Sequence, residues 1–122
     1  MFVKNLKDCN EFIAVDGCYI RELLHPSKDP VSLPYSLAIA RITAGKKSYV
    51  HKLKQDEVYY ILKGEGHMHI KNEVSKVTAG DVVVITANLP QWIENNGEEE
   101  LIFAAIVSPP WTKNGDICLV DV

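Results

Sequence analysis

The sequence predicts an all-β fold, a sandwich or barrel of antiparallel strands, on three observations. Short β-type runs of about 5–8 residues recur along the chain, separated by Gly, Asn or Pro turns. The runs Val82-Val83-Val84-Ile85, Tyr49-Val50 and Val58-Tyr59-Tyr60-Ile61 are β-branched and aromatic. Such residues lose side-chain freedom in a helix and pack well on a pleated surface. Helical character is confined to a turn near Asn5 to Phe12 and another after Pro110.

In order, Gly17 to Leu24 reads as a strand, ended by His25-Pro26-Ser27-Lys28-Asp29-Pro30. Tyr35 to Thr43 follows and stops at Ala44-Gly45-Lys46-Lys47. Ser48 to Leu53, Glu57 to Lys63 and Gly66 to Lys71 come next, then Val74 to Thr78 beyond the Asn72-Glu73 turn. Val82 to Thr86, Gln91 to Asn95 and Leu101 to Ser108 complete the regular part, and Ile117 to Val120 adds an edge strand.

Composition narrows the function classes. At 122 residues with 47% hydrophobic and 24% charged residues, the chain is one domain, 1–122, with its barrel core at about 17–110. A formal charge of −3 leaves no basic excess for a phosphate backbone, so no nucleic acid partner is expected. No apolar run is long enough to span a membrane, and the first residues lack a signal-peptide pattern, so no membrane partner and a cytoplasmic location are expected. Cys9, Cys18 and Cys118 are odd in number and without CxxC spacing, and read as structural thiols.

The chemistry concentrates between Gly45 and Asn95. His51 stands six residues after Gly45, Glu57 six after His51, and Gly64 seven after Glu57. Gly80-Asp81 then opens a second segment that ends at Asn95. This spacing resembles the two motifs of the cupin superfamily, G-x5-H-x-H-x3-E-x6-G and G-x5-P-x-G-x2-H-x3-N. The phrases Tyr59-Tyr60-Ile61-Leu62-Lys63-Gly64-Glu65-Gly66 and Thr78-Ala79-Gly80-Asp81-Val82-Val83 are close to cupin usage.

The resemblance implies an antiparallel jelly-roll barrel (a cupin-like double-stranded β-helix) and a homodimer. It also implies one divalent metal ion (Zn, Fe, Mn, Ni or Cu) at the two histidines and glutamate of the first motif and the histidine of the second. Here Leu53 stands for the second histidine, Gln91 for the last, Thr86 for the proline and Asn88 for the glycine. The candidate metal ligands are therefore His51, Glu57 and Gln91, and the candidate catalytic residues His51 and Glu57.

Strand geometry brings these positions together. Positions 51 and 53 share one face of a strand. A turn at Lys54-Gln55-Asp56 is expected to set Glu57 opposite them on the next antiparallel strand. Asn88-Leu89-Pro90 leads position 91 into the same barrel, so His51, Leu53, Glu57 and Gln91 are all expected to face one cavity. Three readings stand open: an open metal site at His51, Glu57 and Gln91; a hydrogen-bonded His51–Glu57 acid/base pair; or a satisfied barrel histidine.

Other residues take blander readings. Alternation turns Met68 and Ile70 inward, so His67 and His69 face outward despite their H-x-H spacing. His25 reads as a loop residue, and Arg21 and Arg41 as outward partners of surface acids. Tyr35, Tyr49, Tyr59 and Trp92 divide between core and pocket lining. Glu98-Glu99-Glu100 is a solvated hairpin end, and Trp111, after Pro109-Pro110, covers a strand edge or subunit interface. The functional expectation is a small cupin acting on or binding a sugar-like or oxygenated small-molecule ligand in its barrel. The alternative is a non-catalytic binding cupin with a degenerate metal site.

Overall fold

Alternate residues of the long strands point into one space between two antiparallel sheets. The computed structural model describes residues 1–119. Its strands are β1 (Glu11–Ile13), β2 (Tyr19–Leu24), β3 (Ser36–Ile42), β4 (His51–Leu53), β5 (Asp56–Lys63) and β6 (Glu65–Ile70). They continue with β7 (Glu73–Thr78), β8 (Val82–Ile85), β9 (Gln91–Glu94), β10 (Leu101–Ser108) and β11 (Asp116–Cys118). The first sheet runs β1-β2-β3-β10-β5-β8 and the second β11-β4-β9-β6-β7, a jelly-roll arrangement.

The longest strands show why the sheets close on each other. In β10, Leu101, Phe103, Ala105 and Val107 are buried while Ile102, Ala104 and Ile106 face outward. Its partner β5 buries Glu57, Tyr59 and Ile61 in the same rhythm. Tyr59 packs on Phe103 with ring centroids 4.4 Å apart, and Met68, Ile93 and Ile85 complete the core. Burying a side chain of this size contributes about 1.5–3 kcal/mol.

Two positions show why their residue types are needed. Gly66 sits where β6 and β9 approach so closely that a Cβ would collide with the Glu94 carbonyl oxygen. Asn88, standing for a glycine, takes the left-handed conformation at φ 68°.

Arg41 lies outward, as expected, between Glu11 and Glu100 and over the Tyr19 ring. Such exposed pairs contribute about 0–1 kcal/mol. No helix of the described residues is long and apolar enough to cross a membrane.

Several expectations shift in detail. The N-terminal turn is a 3₁₀ turn over Leu6–Asp8, capped by the Asn5 side chain on the Lys7 N–H, and β1 then pairs with β2. A second 3₁₀ turn, Lys113–Gly115, follows Pro110. The strand expected from Ser48 begins only at His51, because the Ser48 and Tyr49 N–H groups donate to Ile93 O and Asp16 O in irregular contacts. The last strand starts at Asp116 and pairs with β4; Val120 lies outside the described residues.

The strands bearing His51 and Glu57 do not pair. β4 belongs to the second sheet and β5 to the first, and the Lys54-Gln55 link carries the chain between sheets. His51 pairs instead with Gln91 of β9 and Cys118 of β11.

Candidate functional site

Small residues open a cavity between the sheets. Ala38 of β3 and Ala105 of β10 are direct ladder partners, and both face inward with Ala40. Paired alanines leave unfilled space where larger side chains would meet. The resulting cavity of about 70 Å³ is also lined by Phe103, Val107 and Ile20, with Asp16, His51, Glu57 and Asp116 at its polar end. Drug-sized ligands occupy pockets of roughly 300–1,000 Å³, so this one suits a molecule of few heavy atoms.

The polar end is built from four separate segments. His51 opens β4 and is 3% exposed. Asp116, the first residue of β11, holds His51 Nδ1 at 2.9 Å through Oδ1, while its Oδ2 accepts from Trp111 Nε1–H at 3.0 Å. An Nδ1–H donated to Asp116 leaves the Nε2 lone pair directed away from that carboxylate. Nε2 is buried and makes no hydrogen bond.

Its nearest ionic neighbour is Asp16 Oδ2 at 3.4 Å, within ion-pair reach but without hydrogen-bond geometry. Asp16 occupies the turn before Gly17, where its Oδ1 accepts the Cys18 N–H at 3.0 Å.

Glu57 approaches from the first sheet. Its Oε1 accepts from Gln91 Nε2 at 2.9 Å, and Gln91 Oε1 in turn accepts from the Tyr59 hydroxyl at 3.2 Å. Of the three open readings, the one that pairs His51 and Glu57 directly is not met: no hydrogen bond joins them. The two residues sit on facing sheets, and each carboxyl-bearing neighbour takes a different partner.

Burial and charge set the protonation states. Burial lifts the Glu57 carboxyl to about 7, against the lowering influence of the Gln91 hydrogen bond and of His51. Burial alone would depress His51. The Asp116 hydrogen bond and the Asp16, Asp116 and Glu57 charges outweigh it, so the imidazole lies above its ordinary value. A buried acid poised near neutrality beside an imidazole anchored at one nitrogen is an arrangement suited to proton transfer.

The cavity gathers some of the expected residues and not others. His51 and Glu57 line it; Gln91 stands behind Glu57 as its hydrogen-bond donor, and Leu53 is buried but is not among the lining residues. Tyr59 lines the cavity, whereas Tyr49 is exposed.

Trp111 turns inward to Asp116 rather than covering an edge or an interface, because its N–H donates to Ser36 Oγ and its indole to Asp116. His25 lies in the loop after β2, as expected, and is buried there: its Nε2 bonds the Trp111 carbonyl at 2.8 Å and its Nδ1 accepts the Ser27 N–H. His67 and His69 lie off the cavity. His69 stacks on Trp92 at 3.5 Å and meets Glu94 Oε1 at 3.0 Å, and His67 pairs with Asn96. Trp92 thus sits on this face and not at the pocket.

Asp16 and Asp116 were not singled out from the sequence. Asp16 stands just before the run read as a strand from Gly17, and Asp116 lies 65 residues from His51, so neither carries a local signal.

The donors do not fit the metal ion that the motif resemblance implies. His51 Nε2 is oriented as a ligating nitrogen would be, with a carboxylate on its other ring nitrogen. However, Leu53 offers no donor, and both ends of the Gln91 amide are engaged. Among the described residues, no group of three or more His, Cys, Asp or Glu is disposed to hold a metal. Stable zinc-like sites require three or four such ligands.

Comparison with known proteins places this geometry in context. The family model described as Cupin domain matches residues 38–107. An uncharacterised protein of Methanocaldococcus jannaschii, MJ1618, is 39% identical over 102 residues, which cover 83% of this chain and 81% of that protein. The oxalate-binding protein of Thermotoga maritima is 34% identical over 68 residues, 55% of this chain and 56% of its own length. The crystal structure of a predicted oxalate decarboxylase from the same organism superposes with a TM-score of 0.76 at 24% identity, covering 88% of this chain and 99% of that one.

Proposed function

The chain belongs to the cupin-domain family, and on that footing we propose that its barrel binds a small oxygenated metabolite and exchanges a proton with it at His51 and Glu57. One observation carries this reading: His51 is buried with Nδ1 held by Asp116, while Nε2 is left without a partner. A buried unpaired acceptor costs about 1–3 kcal/mol, which a ligand N–H or O–H donor would recover.

In this reading His51 Nε2 takes a proton from the ligand, and the imidazolium formed is stabilised by Asp116 and Asp16. Glu57, near neutrality in its ionisation, returns a proton from the facing sheet. Trp111 fixes Asp116, and Gln91 and Tyr59 fix Glu57. The oxalate named for the Thermotoga maritima relative supports a ligand of this size class.

The test is solvent exchange. The protein is incubated in D₂O with short hydroxy, keto and amino-carbonyl compounds, and deuterium at the carbon next to the carbonyl is read by mass spectrometry. Incorporation that His51→Gln abolishes is expected. No incorporation with any compound would remove the proton-transfer step and leave the second reading, a non-catalytic binder, which Leu53 at the usual ligand position favours.

A homodimer is proposed through the outer face of the first sheet. There the ladder partners Ile39, Ala104, Tyr60 and Val82 form one apolar row, and Leu37, Ile106, Val58 and Val84 a second. Val82 and Val84 are 62% and 69% exposed, and a band of this kind marks an interaction surface. Light scattering should give twice the 13.7 kDa chain mass, and Val84→Lys should return it to the monomer; a monomeric wild type refutes the surface.

A further inference from the structure

We infer that the head of the ligand is a protonated amine on a short aliphatic body, and that free carboxylates, oxalate included, are refused. This rests on the reading of the barrel as a small-molecule site and adds the charge class of its ligand.

The charge balance of the polar end supplies the first reason. Asp16, Glu57 and Asp116 stand against a single imidazole, and no Lys or Arg lines the cavity. The fourth lining acid, Glu22, is ion-paired with Lys28 at 2.7 Å. A carboxylate entering this space meets the like charges of Asp16 and Asp116 in a low-dielectric interior, whereas a cation is attracted by both, and by Glu57 once it ionises.

The second reason is the unpaired nitrogen. His51 Nε2 is buried without a hydrogen bond and lies 3.4 Å from Asp16 Oδ2. In the neutral imidazole, with Nδ1–H donated to Asp116, these are two acceptors facing each other. An ammonium group brings three N–H donors, enough for Nε2, Asp16 Oδ2 and the Glu57 carboxyl together.

The walls set the rest of the molecule. Ala38, Ala40, Ala105 and Val107 offer only methyl groups, and the cavity of about 70 Å³ leaves room for a few carbons. A divalent metal would satisfy the charge but not the donor count, since Leu53 and Gln91 withhold the remaining ligands.

The experiment compares probes of equal shape and different charge on the full chain. Propylamine and ethanolamine are titrated beside propanol, propionate, oxalate and, separately, Zn²⁺ and Mn²⁺, with melting temperature and amide and imidazole NMR shifts as readouts. The amines are expected to raise the melting temperature and move the His51 and Asp16 resonances, while propanol, propionate and oxalate do neither. Asp16→Asn should weaken amine binding at least tenfold. If that variant does not fold, Ala38→Leu, which fills the apolar wall, serves in its place and should abolish the amine shifts.

Propionate or oxalate binding as well as the amines, or amine binding untouched by both variants, overturns the inference. So does a metal that stabilises the protein where amines do not. If propanol or oxalate moves the His51 resonance and amines do not, the charge class falls while the barrel-ligand reading stands. If no probe moves any cavity resonance, both fall.

Discussion

Replacing Glu57 by Gln should make the protein more stable at neutral and alkaline pH, although the residue is buried and hydrogen-bonded. The wild-type carboxyl has its ionisation raised from 4.5 to about 7 by burial. Between those values the folded chain holds a proton that the unfolded chain has released, so stability falls as pH rises through that window. At about 1.4 kcal/mol per pH unit, the rise amounts to a loss of about 3 kcal/mol by pH 8. Gln stays neutral throughout, and its amide oxygen can still accept from Gln91 Nε2. The difference between variant and wild type should therefore be near zero at pH 4 and grow to about 3 kcal/mol by pH 8. For a chain of this size that is roughly 10 °C in melting temperature.

His51, whose value is also raised, contributes in the same direction. Its stabilisation is full below its unfolded value of 6.5 and is lost as pH rises through its folded value. It remains in the variant, so a residual slope should persist. Urea unfolding at half-unit steps from pH 4 to 9 measures both. A loss of stability in Glu57→Gln that is the same at every pH would refute the reasoning, since it would mean that the carboxyl ionises alike in the folded and unfolded chain.

Asp116→Asn should lower the His51 titration midpoint in proton NMR, because the hydrogen bond that raises it loses its charge. Gly66→Ala should destabilise by more than about 2 kcal/mol in urea, as its Cβ has no space beside the Glu94 carbonyl. His67→Gln with His69→Gln should leave the cavity resonances and their response to propylamine unchanged, since both side chains are occupied with Asn96, Trp92 and Glu94. Zn²⁺ should bind the metal-stripped wild type weakly in calorimetric titration. Leu53→His should tighten it about tenfold, near 1.4 kcal/mol, by adding an imidazole on the face of β4 that carries His51.

The barrel was legible because its signals are local. Alternation in Leu101 to Ser108 and the β-branched run at Val82 state strands within a few residues, and the observed β10 has the bounds the pattern suggested. His51 and Glu57 were legible as cavity residues through motif spacing. Their partners were not.

Asp116 reaches His51 through the pairing of β11 with β4, a contact that no period in the sequence announces. Asp16 depends on a turn whose Asp-Gly pair has an adequate local explanation in the Cys18 N–H that it caps. Trp111 was legible as a large apolar residue leaving the barrel, but its indole N–H needed Asp116 in place before its direction could be known. The same holds for Glu57, whose partner changed because the chain crosses between sheets after Leu53 rather than turning back along the same one.

The segment matched to the family, residues 38–107, contains His51, Glu57 and Gln91 but neither Asp16 nor Asp116. The matched segment thus supplies most of the cup, while the two carboxylates beside His51 arrive on the arms that flank it. Those arms also carry β1, β2 and β11, so exchanging them between relatives would replace the edges of both sheets together with the two carboxylates beside His51. Trimming the chain to residues 38–107 would remove β1, β2 and β11 along with Asp16 and Asp116. In this chain, the span that matches the family and the carboxylates that surround His51 lie in different stretches of the polypeptide.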